Sequence, residues 1–211
     1  MRLAPYVHLN RLAWLVAGLF LYGLAIALMV RASIGLSPWD VLTQGVSRTT
    51  GLPFGLVTNL IGVAVLVLWW PLRQRPGVGT VLNVLLIGPA AQLGLWLIPE
   101  QTEPVLQVLV FAAGLGLLAC ATGVYIAPHY GPGPRDGLMT GIHARTGLPL
   151  WQIRVAIEVT VLVAGFLLGG QVGAGTVAEA LAIGPLVHRT IPFFRMLHAG
   201  RVATPSASVC A

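Results

Sequence analysis

Lysine is absent from the chain: all twelve basic residues are arginine. A Walker-type phosphate loop needs a lysine after its glycines, so it is excluded even where Gly131, Gly133 and Gly137 cluster. Charge of either sign is scarce. Only 9% of the 211 residues are charged, against roughly 25% in ordinary soluble domains. So few charges cannot clothe a water-soluble surface. Cysteine is nearly missing too. Cys120 lies in an apolar run and Cys210 near the C-terminus, which leaves neither a disulfide framework nor a cysteine metal site. His8, His129, His143, His188 and His198 show no H-x-x-x-H or carboxylate spacing, so no metal is expected. No Ser–His or Cys–His constellation is visible, and the chain is not expected to be an enzyme. The net charge of +6 comes from arginines scattered at the ends of apolar segments, without the patch that nucleic-acid binding requires.

Apolar residues fill the space left by the missing charges. They make up 56% of the chain, and the mean hydropathy is +0.86. Several runs reach the roughly 18–20 residues that a helix needs to cross about 30 Å of hydrocarbon. Hydropathy predicts six spans, at about 12–29, 53–70, 78–98, 104–126, 150–168 and 176–193, in one membrane domain covering 1–211. Residues 195–211 are expected to form a cytoplasmic tail. Ala112, Ala113, Gly114, Gly116, Ala119, Ala121 and Gly123 give the fourth span a small-residue surface suited to close helix packing.

Sliding the chain on itself by 96 residues reveals an internal duplication. Gly35-Leu36-Ser37-Pro38-Trp39-Asp40 falls on Gly131-Pro132-Gly133-Pro134-Arg135-Asp136, and Thr50-Gly51-Leu52-Pro53 on Thr146-Gly147-Leu148-Pro149. Gly77-x-Gly79-Thr80-Val81 then meets Gly173-x-Gly175-Thr176-Val177, and Ile87-Gly88-Pro89 meets Ile183-Gly184-Pro185. About twenty positions between 35–89 and 131–185 are identical without a gap. Shared apolar composition would not align glycine, proline, aspartate and threonine. Repeat one covers about 12–98 and repeat two about 104–194.

Within each copy, a segment at 37–49 or 133–145 is too short and too polar to cross the bilayer, and reads as a half-helix. Ser37 suits the N-cap, Pro38 the first helical position, and Asp40 the third, where a carboxylate accepts from free N–H groups and complements the dipole. Gly133, Pro134 and Asp136 repeat this grammar. Each copy thus holds three crossings and a half-helix. Three is odd, so the second copy is expected to enter the membrane upside down. The expected fold is an all-α membrane protein of six helices in two inverted repeats. With the N-terminus inside, Arg2, Arg11, Arg73, Arg75, Arg135, Arg145, Arg189, Arg195 and Arg201 are cytoplasmic and only Arg31 and Arg48 lie outside, Arg154 falling near or within span five. That bias fits the positive-inside rule with both termini cytoplasmic.

The G-x-x-P-x-D segment, the T-G-L-P, G-T-V and I-G-P stretches and their repetition resemble YczE/YitT-type bacterial integral membrane proteins, from about Trp14 to Phe194. The resemblance implies a bacterial inner-membrane location and about six helices, and brings little mechanism with it.

Inverted repeats with half-helices are a signature of secondary transporters, whose sites lie where the half-helix ends meet. Asp40 and Asp136 then mark a central site, or each merely caps its own helix. Glu158 and Glu179 stand out because a charge at the bilayer centre costs about 2.5–3.5 kcal/mol on insertion scales. Glu179 takes the place of Asn83 in the other copy. Arg154 lies one turn before Glu158 and can pair with it, as a structural lock or a functional pair. Pro89 and Pro185, each after Gly88 or Gly184, remove a helical hydrogen bond and predict kinks that serve either gating or packing. The expected function is a small-solute transporter or permease. The alternative is an accessory or scaffold protein that moves no solute. The implied partners are the lipid bilayer and a small solute or ion, with self-association as a homo-oligomer left open. No cofactor is implied.

Overall fold

The computed structural model describes residues 5–202. Arg2, Cys210 and the end of the expected tail lie outside the described residues. Within them are eight helices and no strand: α1 (Pro5–Ala32), α2 (Pro38–Thr50), α3 (Phe54–Leu72), α4 (Val78–Leu97), α5 (Pro104–Ile126), α6 (Pro134–Thr146), α7 (Leu150–Leu167) and α8 (Ala174–Val202). Five of these, α1, α3, α4, α5 and α7, are long and apolar enough to cross a membrane. Helix α8 has ample length at 29 residues, but Glu179, His188, Arg189 and Arg195 dilute its apolarity and keep it out of that set. Large apolar side chains cover the outer faces, and Trp70, Trp96 and Trp151 stand 88%, 76% and 66% exposed near helix ends, where amphipathic rings suit a headgroup boundary.

The duplicated sequence is a duplicated backbone. Ser33 and His129 follow α1 and α5 with left-handed φ of 57° and 58°, and Gly35 and Gly131 follow at 128° and 118°. These two glycines adopt a φ that side chains rarely allow. Helices α2 and α6, of 13 residues each, then start at Pro38 and Pro134 and stop at left-handed Gly51 and Gly147. Neither short helix can span hydrocarbon. Pro89 and Pro185 sit inside continuous helices α4 and α8, which run through both Gly-Pro steps.

Packing follows the same exchange. Helix α1 packs against α5 and α4, α5 against α8, α2 against α7, and α3 against α6. The core fills the α1–α5–α4 contact with Leu15, Leu19, Ile26, Met29, Ala91, Leu115 and Leu118. Of the small residues in α5, Gly114 closes on Leu28 and Met29 of α1 and Gly123 on Thr190 and Phe194 of α8. Gly116 meets nothing, and Ala112 and Ala113 face outward.

Each copy holds the loop that launches the other copy's half-helix. The Gly79 N–H donates to the Tyr130 carbonyl at 2.9 Å, and the Gly175 N–H to the Ile34 carbonyl at 2.9 Å. Beside them Thr80 Oγ1 donates to the Pro132 carbonyl at 2.7 Å, whereas Thr176 Oγ1 accepts from the Leu36 N–H at 3.1 Å. A hydroxyl serves both roles. Proline at 132 has no N–H to give, so its carbonyl is used instead. The repeated G-x-G-T stretch is therefore a loop clamp, and both threonines are buried.

Where the halves differ in sequence, the differences compensate. Trp69 of α3 presses on Gly137 of α6 and donates through Nε1 to the Pro134 carbonyl at 3.0 Å. At the matching contact, Gly165 of α7 lies against Val41 and Leu42 of α2. The large residue has moved from one helix of the pair to the other.

Two outcomes are expected from thermal unfolding of the purified protein in detergent. Gly137→Val overpacks against Trp69 and should destabilise by about 1–3 kcal/mol. Adding Trp69→Gly recreates the pairing of the other copy, and the double variant should be less destabilised than the sum of the singles by about 0.5–3 kcal/mol. Strict additivity would show that the two positions are independent. Thr80→Val and Thr176→Val each strand buried backbone groups and should cost about 1–3 kcal/mol, with Thr80→Ser restoring most of the loss.

Candidate functional site

The first turn of α2 is built by its own residues. Ser37 lies in extended backbone at φ −60°, ψ 152°, and Pro38 enters the helix with the φ it already has. Ser37 Oγ accepts from the Asp40 N–H at 3.3 Å and donates to Asp40 Oδ2 at 2.6 Å. In α6, Gly133 has the same backbone at φ −62°, ψ 159° but no side chain to offer, and the Asp136 carboxylate accepts from the Gly133 backbone instead.

Both helix starts open onto one cavity of about 540 Å³. Ser37, Pro38 and Asp40 line it from one copy and Gly133, Pro134 and Asp136 from the other. Asn83 of α4, Arg154 and Glu158 of α7 and Glu179 of α8 complete its polar wall. All five residues expected to bind a solute or ion thus meet in one place, although 139 residues separate Asp40 from Glu179 in the chain. Four of the six acids of the protein line this cavity. Glu179 and Asp40 are only 7% and 3% exposed. Arg154 Nε donates to Glu158 Oε1 at 2.9 Å on the more open side. Of the residues expected to kink their helices, Gly184 lines the cavity, while Gly88, Pro89 and Pro185 do not.

Arg135 was expected among the cytoplasmic topology residues. It lines the cavity instead, with its guanidinium 3.9 Å from Asp40 Oδ1 and its Cζ 5.0 Å from the Trp39 ring centroid. Positions 39 and 135 are equivalent under the 96-residue offset, so the place where the copies differ is also where they touch. The signal was a lone arginine in the first turn of a half-helix, opposite a tryptophan in the other copy. Asp40 Oδ1 accepts no hydrogen bond. Tyr22 of α1 and Tyr125 of α5 form an edge-to-face pair at 5.9 Å in the same wall. Lying in apolar spans, they gave no sequence signal beyond a hydroxyl.

The cavity is closed on one side and open on the other. On the closed side, Gly55 of α3 and Gly88 of α4 approach so closely that a Cβ on either would strike the other's carbonyl. The Gly55 N–H donates to Gln92 Oε1 at 3.0 Å. Their counterparts are Trp151 and Gly184, and a Cβ at Gly184 would have no neighbour within 4 Å. Helix α7 makes no packing with α8 comparable to that of α3 with α4. The cavity occupies the gap, lined by Ile157 and Glu158 on one flank and Ile183, Val187 and His188 on the other.

The chain is similar to known bacterial proteins over most of its length. An uncharacterized protein of Haemophilus influenzae is 37% identical over 173 residues, 82% of this chain and 79% of that one. The uncharacterized membrane protein YczE of Bacillus subtilis is 31% identical over 196 residues, covering 92% of this chain and 91% of YczE. Protein YyaS of the same bacterium is 25% identical over 179 residues, covering 83% and 89%. No solved structure matches the chain. A model of the family of unknown function DUF6198 matches residues 9–192, so this multi-helix membrane protein belongs to that family.

Proposed function

We propose that the protein is a small-solute transporter of the bacterial inner membrane, with the central cavity as its solute site. The observation that carries this reading is the unequal packing of two equivalent helix pairs around a polar cavity: α3 is closed on α4 and α7 is parted from α8. Helix α8 serves as the sixth span. Each copy then crosses three times, so the copies are inverted and their half-helices enter from opposite faces. Exchanging the packed and parted pairs moves the opening to the other side of the membrane without any new fold. Both termini lie in the cytoplasm, which makes the parted α7–α8 side the inward-facing one.

The chemistry supports solute handling over structural polarity. Four acids in one membrane cavity are costly, and such groups persist where a partner or water-filled path offsets them. Arg135 and Arg154 offset only part of that charge. Caps alone would account for Asp40 and Asp136 but leave Glu179 unexplained.

Two measurements test this. Ala91 is fully buried on the packed side and Val187 is its cavity-lining equivalent. In a background lacking Cys120 and Cys210, Val187→Cys should react with a membrane-impermeant thiol reagent from the cytoplasmic face and Ala91→Cys should not. Labelling of both from one face, or reporter fusions placing both termini outside, would defeat the inverted arrangement. The second compares solutes inside and outside cells of a deletion strain and of the same strain complemented with the gene. Asp40→Asn and Asp136→Asn keep a capping oxygen and lose only the dipole's charge partner, about 0.3–1 kcal/mol, so membrane levels should hold. Each should fail to restore the wild-type solute distribution. Full restoration by the double variant would leave a scaffold role standing and end the central-site reading.

A further inference from the structure

Resting on the transport reading, the cavity also carries information about the solute's charge. The described residues that line it include four carboxylates against two arginines. Each half-helix start, which would otherwise draw an anion, already holds its own carboxylate, Asp40 on α2 and Asp136 on α6. An incoming anion meets occupied donors and a surplus of negative charge. A cation meets Asp40 Oδ1, buried with its side chain 4% exposed and accepting no hydrogen bond.

That seat already holds a cation tethered to the protein. The Arg135 guanidinium lies over Trp39 at 5.0 Å and beside Asp40 at 3.9 Å, too far for a hydrogen bond. An aromatic face and a carboxylate flanking one position are the two elements that recognise organic cations. The contact is loose, and Arg135 stays one-third exposed. It can be displaced.

A second feature fixes the shape. An apolar groove of about 450 Å³ runs between α3 and α7, lined by Ala64, Leu68, Ala156 and Val161 among others. It shares Trp39, Ile61, Val65 and Ile157 with the polar cavity, so the two are continuous at the tryptophan. We propose that the solute is an organic cation with an apolar body, its head displacing Arg135 from between Asp40 and Trp39 and its body lying in the α3–α7 groove. Arg135 is then a built-in competitor that occupies the seat when no solute is bound, and the acids hold a counter-charge at every stage.

Calorimetric binding to the purified full-length protein in detergent tests this with tetramethylammonium, benzyltrimethylammonium and benzoate. Benzyltrimethylammonium should bind at least tenfold more tightly than tetramethylammonium. Arg135→Ala should tighten both cations at least tenfold, and Asp40→Asn should weaken both by a similar factor. Ala64→Trp fills the groove and should erase the benzyl advantage while leaving tetramethylammonium unchanged. Unaltered cation binding in Asp40→Asn, weaker binding in Arg135→Ala, or benzoate binding that depends on Arg135 would each overturn the proposal. So would the absence of cation binding in both wild type and Arg135→Ala. Flux of benzyltrimethylammonium into proteoliposomes is read separately. Binding in the expected pattern without flux upholds the cation seat and removes transport; flux of another solute without cation binding does the reverse.

Discussion

The structure depends on one constraint: non-helical backbone at membrane depth must find its hydrogen bonds inside the protein. Stopping α1 and α5 and launching a half-helix beside them leaves several peptide groups without helical partners. The G-x-G-T stretches supply them, and they do so across the copies. Gly79 and Thr80 hold the loop at Tyr130–Pro132, and Gly175 and Thr176 hold the loop at Ile34–Leu36. Neither copy can place its own half-helix, so the fold is complete only when both are present. The cavity follows from this, because the clamped loops deliver both helix starts to the centre.

Departures from symmetry carry the function. At the α2–α7 and α3–α6 contacts the large and small residues are exchanged, as Val41 with Gly165 against Gly137 with Trp69, and both contacts stay packed. At α3–α4 and α7–α8 there is no such compensation. Gly55 and Gly88 permit the closest approach on one side; Trp151 stands in for Gly55 on the other, and that side is parted. One kind of difference preserves the frame, and the other opens it.

Much of this was legible in the sequence, for identifiable reasons. The half-helices were readable because capping is local: Ser37, Pro38 and Asp40 specify a start within four residues, and Gly51 a stop. The duplication was readable because glycine, proline and threonine at matched offsets are not produced by apolar composition. The Arg154–Glu158 pair followed from helical spacing alone. What the G-x-G-T stretches do was not readable, since their partners lie about 50 or 140 residues away. Arg135 was misplaced for a related reason. Topology counting treats every arginine near an apolar segment as a boundary mark, and only tertiary packing turns this one onto Trp39. The apolarity of α8 misleads in the opposite sense, because the residues that lower it, Glu179 and His188, face the cavity.

The economy of acids bears on why the cavity is polar at all. Six carboxylates in a membrane chain would ordinarily gather at its aqueous ends, where they cost nothing. Only Glu100 and Glu103 do so, in the connection between the copies. Of the other four, Asp40 and Asp136 have the excuse of a helix start, and Glu158 has Arg154. Glu179 has none of these, sits in mid-helix, and is nearly as buried as Asp40. Its counterpart Asn83 shows that an uncharged polar group fits the equivalent position on the packed side. A carboxylate in place of the amide therefore adds charge without being needed for packing, and it adds it on the flank where the cavity is open. Charge placed where water and solute have access, and replaced by an amide where they do not, is the distribution expected if the open flank is where a solute is met.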